Sequence, residues 1–137
     1  MYKKILCIIT TFVLCTNIVF AHPKESIKDI DEISNSLNTL FLTTLQEKNL
    51  ESIKKNINLI QSELNRERNE ILRFIESHEN PEKIGYYSLL SVLNSYQIAL
   101  LEIQEFYKDN NNNKAFINAI SALNEGNSMF DVAKARL

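Results

Sequence analysis

Glycine and proline are scarce in this chain, with two of each among 137 residues. Both residues punctuate secondary structure, because glycine reaches positive φ without steric cost and proline fixes φ and lacks an N–H. A strand-rich fold needs turn residues at short intervals, so their scarcity favours a few long elements. Cysteine is equally rare. Cys7 and Cys15 both lie close to the N-terminus, and the rest of the chain has no thiol for a disulfide, a nucleophile or a zinc ligand. Basic charge is not in excess: 15 Lys and Arg stand against 17 Asp and Glu, a net charge of −2. A phosphate-backbone binder normally carries a basic stripe, so no nucleic-acid partner is expected.

The signatures of catalysis are missing as well. The sequence holds no glycine-rich phosphate loop, no His-Glu-x-x-His and no Gly-x-Ser-x-Gly. With only two histidines, no spacing pairs a serine nucleophile with a base. A di-iron bundle would need Glu-x-x-His pairs on facing helices, and Glu76 to His78 has the wrong separation. The chain reads as a non-enzyme with no cofactor.

What is present begins with a targeting segment. Met1-Tyr2-Lys3-Lys4 is a basic start, Ile5 to Phe20 is uncharged and mostly apolar, and Val19-Phe20-Ala21 places small residues at −3 and −1 of a cleavage site. This is the pattern of a signal peptide over residues 1–21. The apolar run is short for a membrane span, which takes about 20 residues, and no span is expected in residues 22–137. Export to a periplasm or the outside follows. Loss of Lys3 and Lys4 would take the net charge from −2 to −4. Leu14 before Cys15 does not fit the small residue that precedes a lipoprotein cysteine.

Residues 22–137 then read as one helical domain, with helices near 24–47, 50–77, 81–108 and 113–136. In the first, Ile27, Ile30, Ile33, Leu37, Leu40, Phe41 and Leu45 recur by threes and fours, one stripe of a 3.6-residue period. In the second, Ile53, Ile57, Ile60, Leu64, Glu67, Ile71 and Phe74 alternate by four and three like a coiled-coil seam, interrupted only by Glu67. Because unpaired charge avoids burial, drift of the seam is expected to turn Glu67 to water beside Arg66 and Arg68. The competing reading is a buried acid that marks a pocket or locks the register.

The third helix is expected to be central. Asn80-Pro81 is a helix-start signal, and no charge occurs from Ile84 to Leu101. Tyr86, Leu90, Leu93, Leu100 and Tyr107 form one apolar row, and Leu89, Val92, Tyr96, Ala99, Ile103 and Phe106 form a second. A helix with two such rows must be covered on two sides. Ser88, Ser91 and Ser95 leave a narrow polar edge. In the fourth helix the small residues Ala115, Ala119, Ala122, Gly126 and Ala133 predict close approach to the large side chains of the third, with a kink expected at Glu125-Gly126. Short turns make neighbours antiparallel, so the expected fold is an all-α, up-down-up-down four-helix bundle.

Candidate binding residues are few. Glu67, Tyr86, Tyr87 and Tyr96 could form a binding surface, since tyrosine offers an apolar ring and a polar tip. Cleavage after Ala21 would make His22 the N-terminal residue, whose amine and imidazole, with His78 at the same end of the bundle, would offer nitrogen ligands to copper. Leu42-Thr43-Thr44-Leu45-Gln46, continued by Leu50 and Ile53, resembles the Leu-Thr-x-x-Gln motif of a family of periplasmic helical stress proteins that includes metal-stress sensors and chaperones. The likeness covers about a dozen residues without a second copy of the motif, and it would imply a binder of unfolded proteins. Phe106, Asn110, Ala115, Ala119, Ala122 and Leu123 also look like one tetratricopeptide-type hairpin, but a 34-residue shift finds no repeat. The leading expectation is an exported bundle that binds a protein or envelope component. The alternatives are a small-molecule or copper carrier and a stress chaperone.

Overall fold

The computed structural model describes residues 23–46, 50–77, 83–109 and 111–137. Four α-helices account for nearly all of them: α1 (Pro23–Gln46), α2 (Leu50–Ser77), α3 (Lys83–Lys108) and α4 (Asn113–Lys134). No strand occurs among the described residues, as the dearth of turn residues requires. The expected caps and turns at Lys48-Asn49 and at Ser77-His78-Glu79-Asn80-Pro81, apart from Ser77, lie outside the described residues, as does the expected signal segment. Before α4, Asn112 is the N-cap and its side-chain oxygen accepts the Ala115 N–H at 3.1 Å. That bond satisfies one of the amides a helix start leaves without a helical partner.

The periodic rows bury as their spacing demands. Ile30, Ile33, Leu37, Leu40 and Phe41 of α1 are in the core, as are Ile53, Ile57, Ile60, Leu64, Ile71 and Phe74 of α2. The second row of α3 is buried from Leu89 through Phe106. α1 and α3 each touch all three other helices, α3 the more extensively, whereas α2 and α4 do not meet. Leu45 departs from its stripe and is exposed, as is Leu42.

α4 lies most closely on α3. The buried face of α4 is Ala115, Ala119, Ala122, Gly126 and Ala133, with Leu123 and Phe130 beside it. Small side chains let the helix axes approach until the Tyr96 ring of α3 occupies the space over Gly126. A Cβ at Gly126 would stand 2.5 Å from Tyr96 Cε1. The space that the missing side chain leaves is taken by this contact, and α4 continues through Gly126 as one helix. Aromatic pairs join the other elements. Phe74 of α2 stacks on Tyr86 of α3 with centroids 4.0 Å apart. Phe116 of α4 meets Phe41 of α1 at 5.9 Å and Phe106 of α3 at 4.9 Å.

Candidate functional site

Glu67 is the residue whose placement departs furthest from its chemistry. It was expected to turn to water, but the α2 seam does not drift, and Glu67 stays in register between Leu64 and Ile71 with 0% of its surface exposed. The seam holds because six apolar neighbours on the same row gain more from burial than one carboxyl loses. Both carboxyl oxygens are buried, and neither has a hydrogen-bond partner among the described residues. Across the helix interface stands Ser26 of α1, 1% exposed, whose hydroxyl also lacks a hydrogen-bond partner there.

Burial pushes the Glu67 carboxyl up from its ordinary value to about 7. The nearby Ser26 hydroxyl pulls the other way, though short of hydrogen-bond geometry. The carboxylates of Asp29 and Glu70 raise it further, and the Arg66 guanidinium lowers it. Carboxyl oxygens of Asp29, Glu67 and Glu70 lie within 4.8 Å of one another. Asp29 comes from α1, one turn after Ser26, and Glu70 from α2, one turn after Glu67. The i, i+3 spacing on each helix places the four groups on facing sides of one interface. Arg66 Nη2 donates to Asp29 Oδ2 at 3.0 Å at the rim.

Further polar side chains tie all four helices. Asn127 Oδ1 of α4 accepts from Ser34 Oγ of α1 at 2.7 Å and from the Tyr96 hydroxyl of α3 at 2.7 Å. Gln61 of α2 and Gln97 of α3 exchange amide hydrogen bonds of 2.8 and 2.7 Å. Burial raises the Tyr96 hydroxyl above its ordinary pKa. These side chains are satisfied by one another and have a structural part.

Of the four residues expected on a binding surface, Tyr86 and Tyr96 are fully buried, because both apolar rows of α3 are covered. Glu67 is buried on α2. Only Tyr87 presents a face to solvent, and it does not lie with the other three on one surface. His22 and His78 are outside the described residues. In the Leu-Thr-x-x-Gln string, Leu42 and Leu45 face solvent, while the Thr43 and Thr44 hydroxyls donate to Thr39 and Leu40 carbonyls within α1.

One exposed apolar row is not evident from the sequence alone. Ile84, Tyr87, Ile98 and Leu101 of α3 are between 49% and 67% exposed. With Ser91, Asn94 and Glu105 they form one outward row spaced three and four apart. That spacing was available to inspection, but α3 is apolar on so many sides that its solvent row cannot be told from its core rows until neighbours are placed. Between α3 and α4, Ser88, Ser91, Ser128, Met129 and Val132 line a shallow groove of about 340 Å³. The Ser88 and Ser91 hydroxyls bond back to the carbonyls of Ile84 and Tyr87. No described helix is long and apolar enough to cross a membrane. No protein-family model, curated protein or solved structure matches the chain.

Proposed function

We propose that this chain is an exported, non-catalytic helical bundle that acts by binding a protein or cell-envelope component through the outward face of α3. The observation that carries this reading is the row of Ile84, Tyr87, Ile98 and Leu101, exposed at helical spacing on α3. Apolar residues scattered singly on a surface are ordinary, but four on one face form a stripe of the kind that a partner helix covers. Export rests on the basic, apolar and small-residue succession of residues 1–21, with residues 22–137 as the exported domain.

The same reading includes up-down-up-down topology. Its support is that cross-helix pairs rise in number on one helix as they fall on the next. Gln61 pairs with Gln97 and Arg68 with Asn94 between α2 and α3. Glu102 pairs with Asn118 and Tyr96 with Asn127 between α3 and α4. A photo-crosslinking residue at Leu101, exposed on the same row and introduced in the native host, tests the partner. A discrete crosslinked product is expected, absent from an Ile98 and Tyr87 double glutamate variant. Recovery of uncrosslinked monomer alone, across growth conditions, would reject this reading.

A further inference from the structure

We propose that Asp29, Glu67 and Glu70, with the Ser26 hydroxyl, form a binding site for one hard divalent cation of the Ca²⁺ type at the α1–α2 interface. Three carboxyl groups meet there with oxygens no more than 4.8 Å apart. That span matches two oxygens on opposite sides of an ion with Ca–O distances of about 2.4 Å. Exposed acidic groups often cluster without binding anything, so the cluster alone would mean little. Here its inner member is fully buried with two unpartnered oxygens, and a second buried polar group, Ser26 Oγ, stands beside it unpartnered.

Buried polar atoms in native proteins are nearly always satisfied. Three orphan oxygens at one interface need a common donor or a common cation. A proton can serve one carboxyl oxygen of Glu67, but it leaves the repulsion between Asp29 and Glu70 unrelieved. A divalent ion would serve all four residues at once. The donor set is oxygen throughout, which selects a hard cation over Cu²⁺ or Zn²⁺. Ca²⁺ suits it better than Mg²⁺, because Ca²⁺ accepts irregular spheres of six to eight oxygens whereas Mg²⁺ demands near-ideal octahedral geometry at about 2.1 Å. Asp29 and Glu70 are half-buried, so water has access to complete the sphere. Arg66 engages Asp29 Oδ2, and a carboxylate has a second oxygen with which to bind an ion at the same time. The charge of the three carboxylates and Arg66 then balances a divalent ion.

The site is distinct from the α3 face and does not depend on it. The test uses chelator-treated full chain at pH 8, titrated by calorimetry with Ca²⁺, Mg²⁺, Mn²⁺ and Cu²⁺, with melting followed by circular dichroism. The expected result is one Ca²⁺ per chain, a rise in Tm on adding Ca²⁺, and weaker binding of Mg²⁺. Glu67→Gln and Glu70→Gln should each weaken Ca²⁺ binding at least tenfold. Glu70 is half-buried, so Glu70→Gln keeps the test decisive if Glu67→Gln disturbs packing. Absence of Ca²⁺ binding by the folded protein would overturn the proposal, and so would undiminished binding in folded Glu70→Gln.

Discussion

At the scale of single residues, burial and charge are in tension at Glu67. Its carboxyl titrates near 7 in the folded state against 4.5 in the unfolded chain. The folded protein therefore binds a proton that the unfolded chain has released between those pH values. The stability contribution is fully present below pH 4.5 and is lost as pH rises through 7, in total about 3 kcal/mol. With chelator present, wild-type stability measured by urea unfolding should fall between pH 5 and 8 relative to Glu67→Gln, whose amide cannot ionise. Parallel pH profiles for the two proteins would refute this. Gly126 is governed by space instead of charge. Gly126→Ala gains about 1 kcal/mol of helix propensity, but its Cβ would meet the Tyr96 ring at 2.5 and 2.6 Å. Overpacking of this kind costs about 1–3 kcal/mol, so a net loss of stability is expected in denaturant titration, and a gain would contradict the packing described.

At the scale of elements, the helices are joined by shared side-chain acceptors as well as by apolar rows. Asn127 Oδ1 accepts from both Ser34 and Tyr96, so one atom couples α1, α3 and α4. Asn127→Ala should cost about 1–3 kcal/mol, because it strands the Tyr96 hydroxyl against a buried interface. Adding Tyr96→Phe to that variant should cost less than Tyr96→Phe alone costs in the wild type. A double-mutant cycle with zero coupling energy would dispose of the network. The α1–α2 pair has a different character. Its apolar seams meet with an acid in the middle, and the ion pair of Arg66 with Asp29 lies at the rim, where more than half of the Arg66 side chain is exposed. Exposed pairs of this kind contribute little. The α1–α2 interface is thus where protonation, through buried Glu67, bears directly on packing.

At the scale of the whole molecule, contact is unevenly shared. α3 meets every other helix, and α4 is bound principally to α3. Hydrogen exchange should therefore be slowest in α3 and in the Ala119–Gly126 stretch of α4. It should be fastest in the last turns of α1, where Leu42 and Leu45 are exposed. Equal protection of all four helices would contradict this ordering. The outward row of α3 makes a complementary prediction: Tyr87→Glu with Ile98→Glu should shift Tm by only a few degrees, since neither side chain is in the core, yet should abolish partner crosslinking.

The recurrence of apolar residues every three or four positions was sufficient to identify four helices, their approximate ends and most of the core, because amphipathic spacing is a property of each helix alone. Ile53 through Phe74 and Leu89 through Phe106 were legible in this way. The fate of Glu67, the contact of Gly126 with Tyr96 and the convergence of Ser34, Tyr96 and Asn127 were not. Each depends on which helix lies opposite and at what height, and residues as far apart as Ser34 and Asn127 meet only through that arrangement. Tyr86, Tyr87 and Tyr96 have the same side chain in the same helix, but two are sealed and one is open. Tertiary packing decided the difference, because water is excluded only where a second helix covers the first.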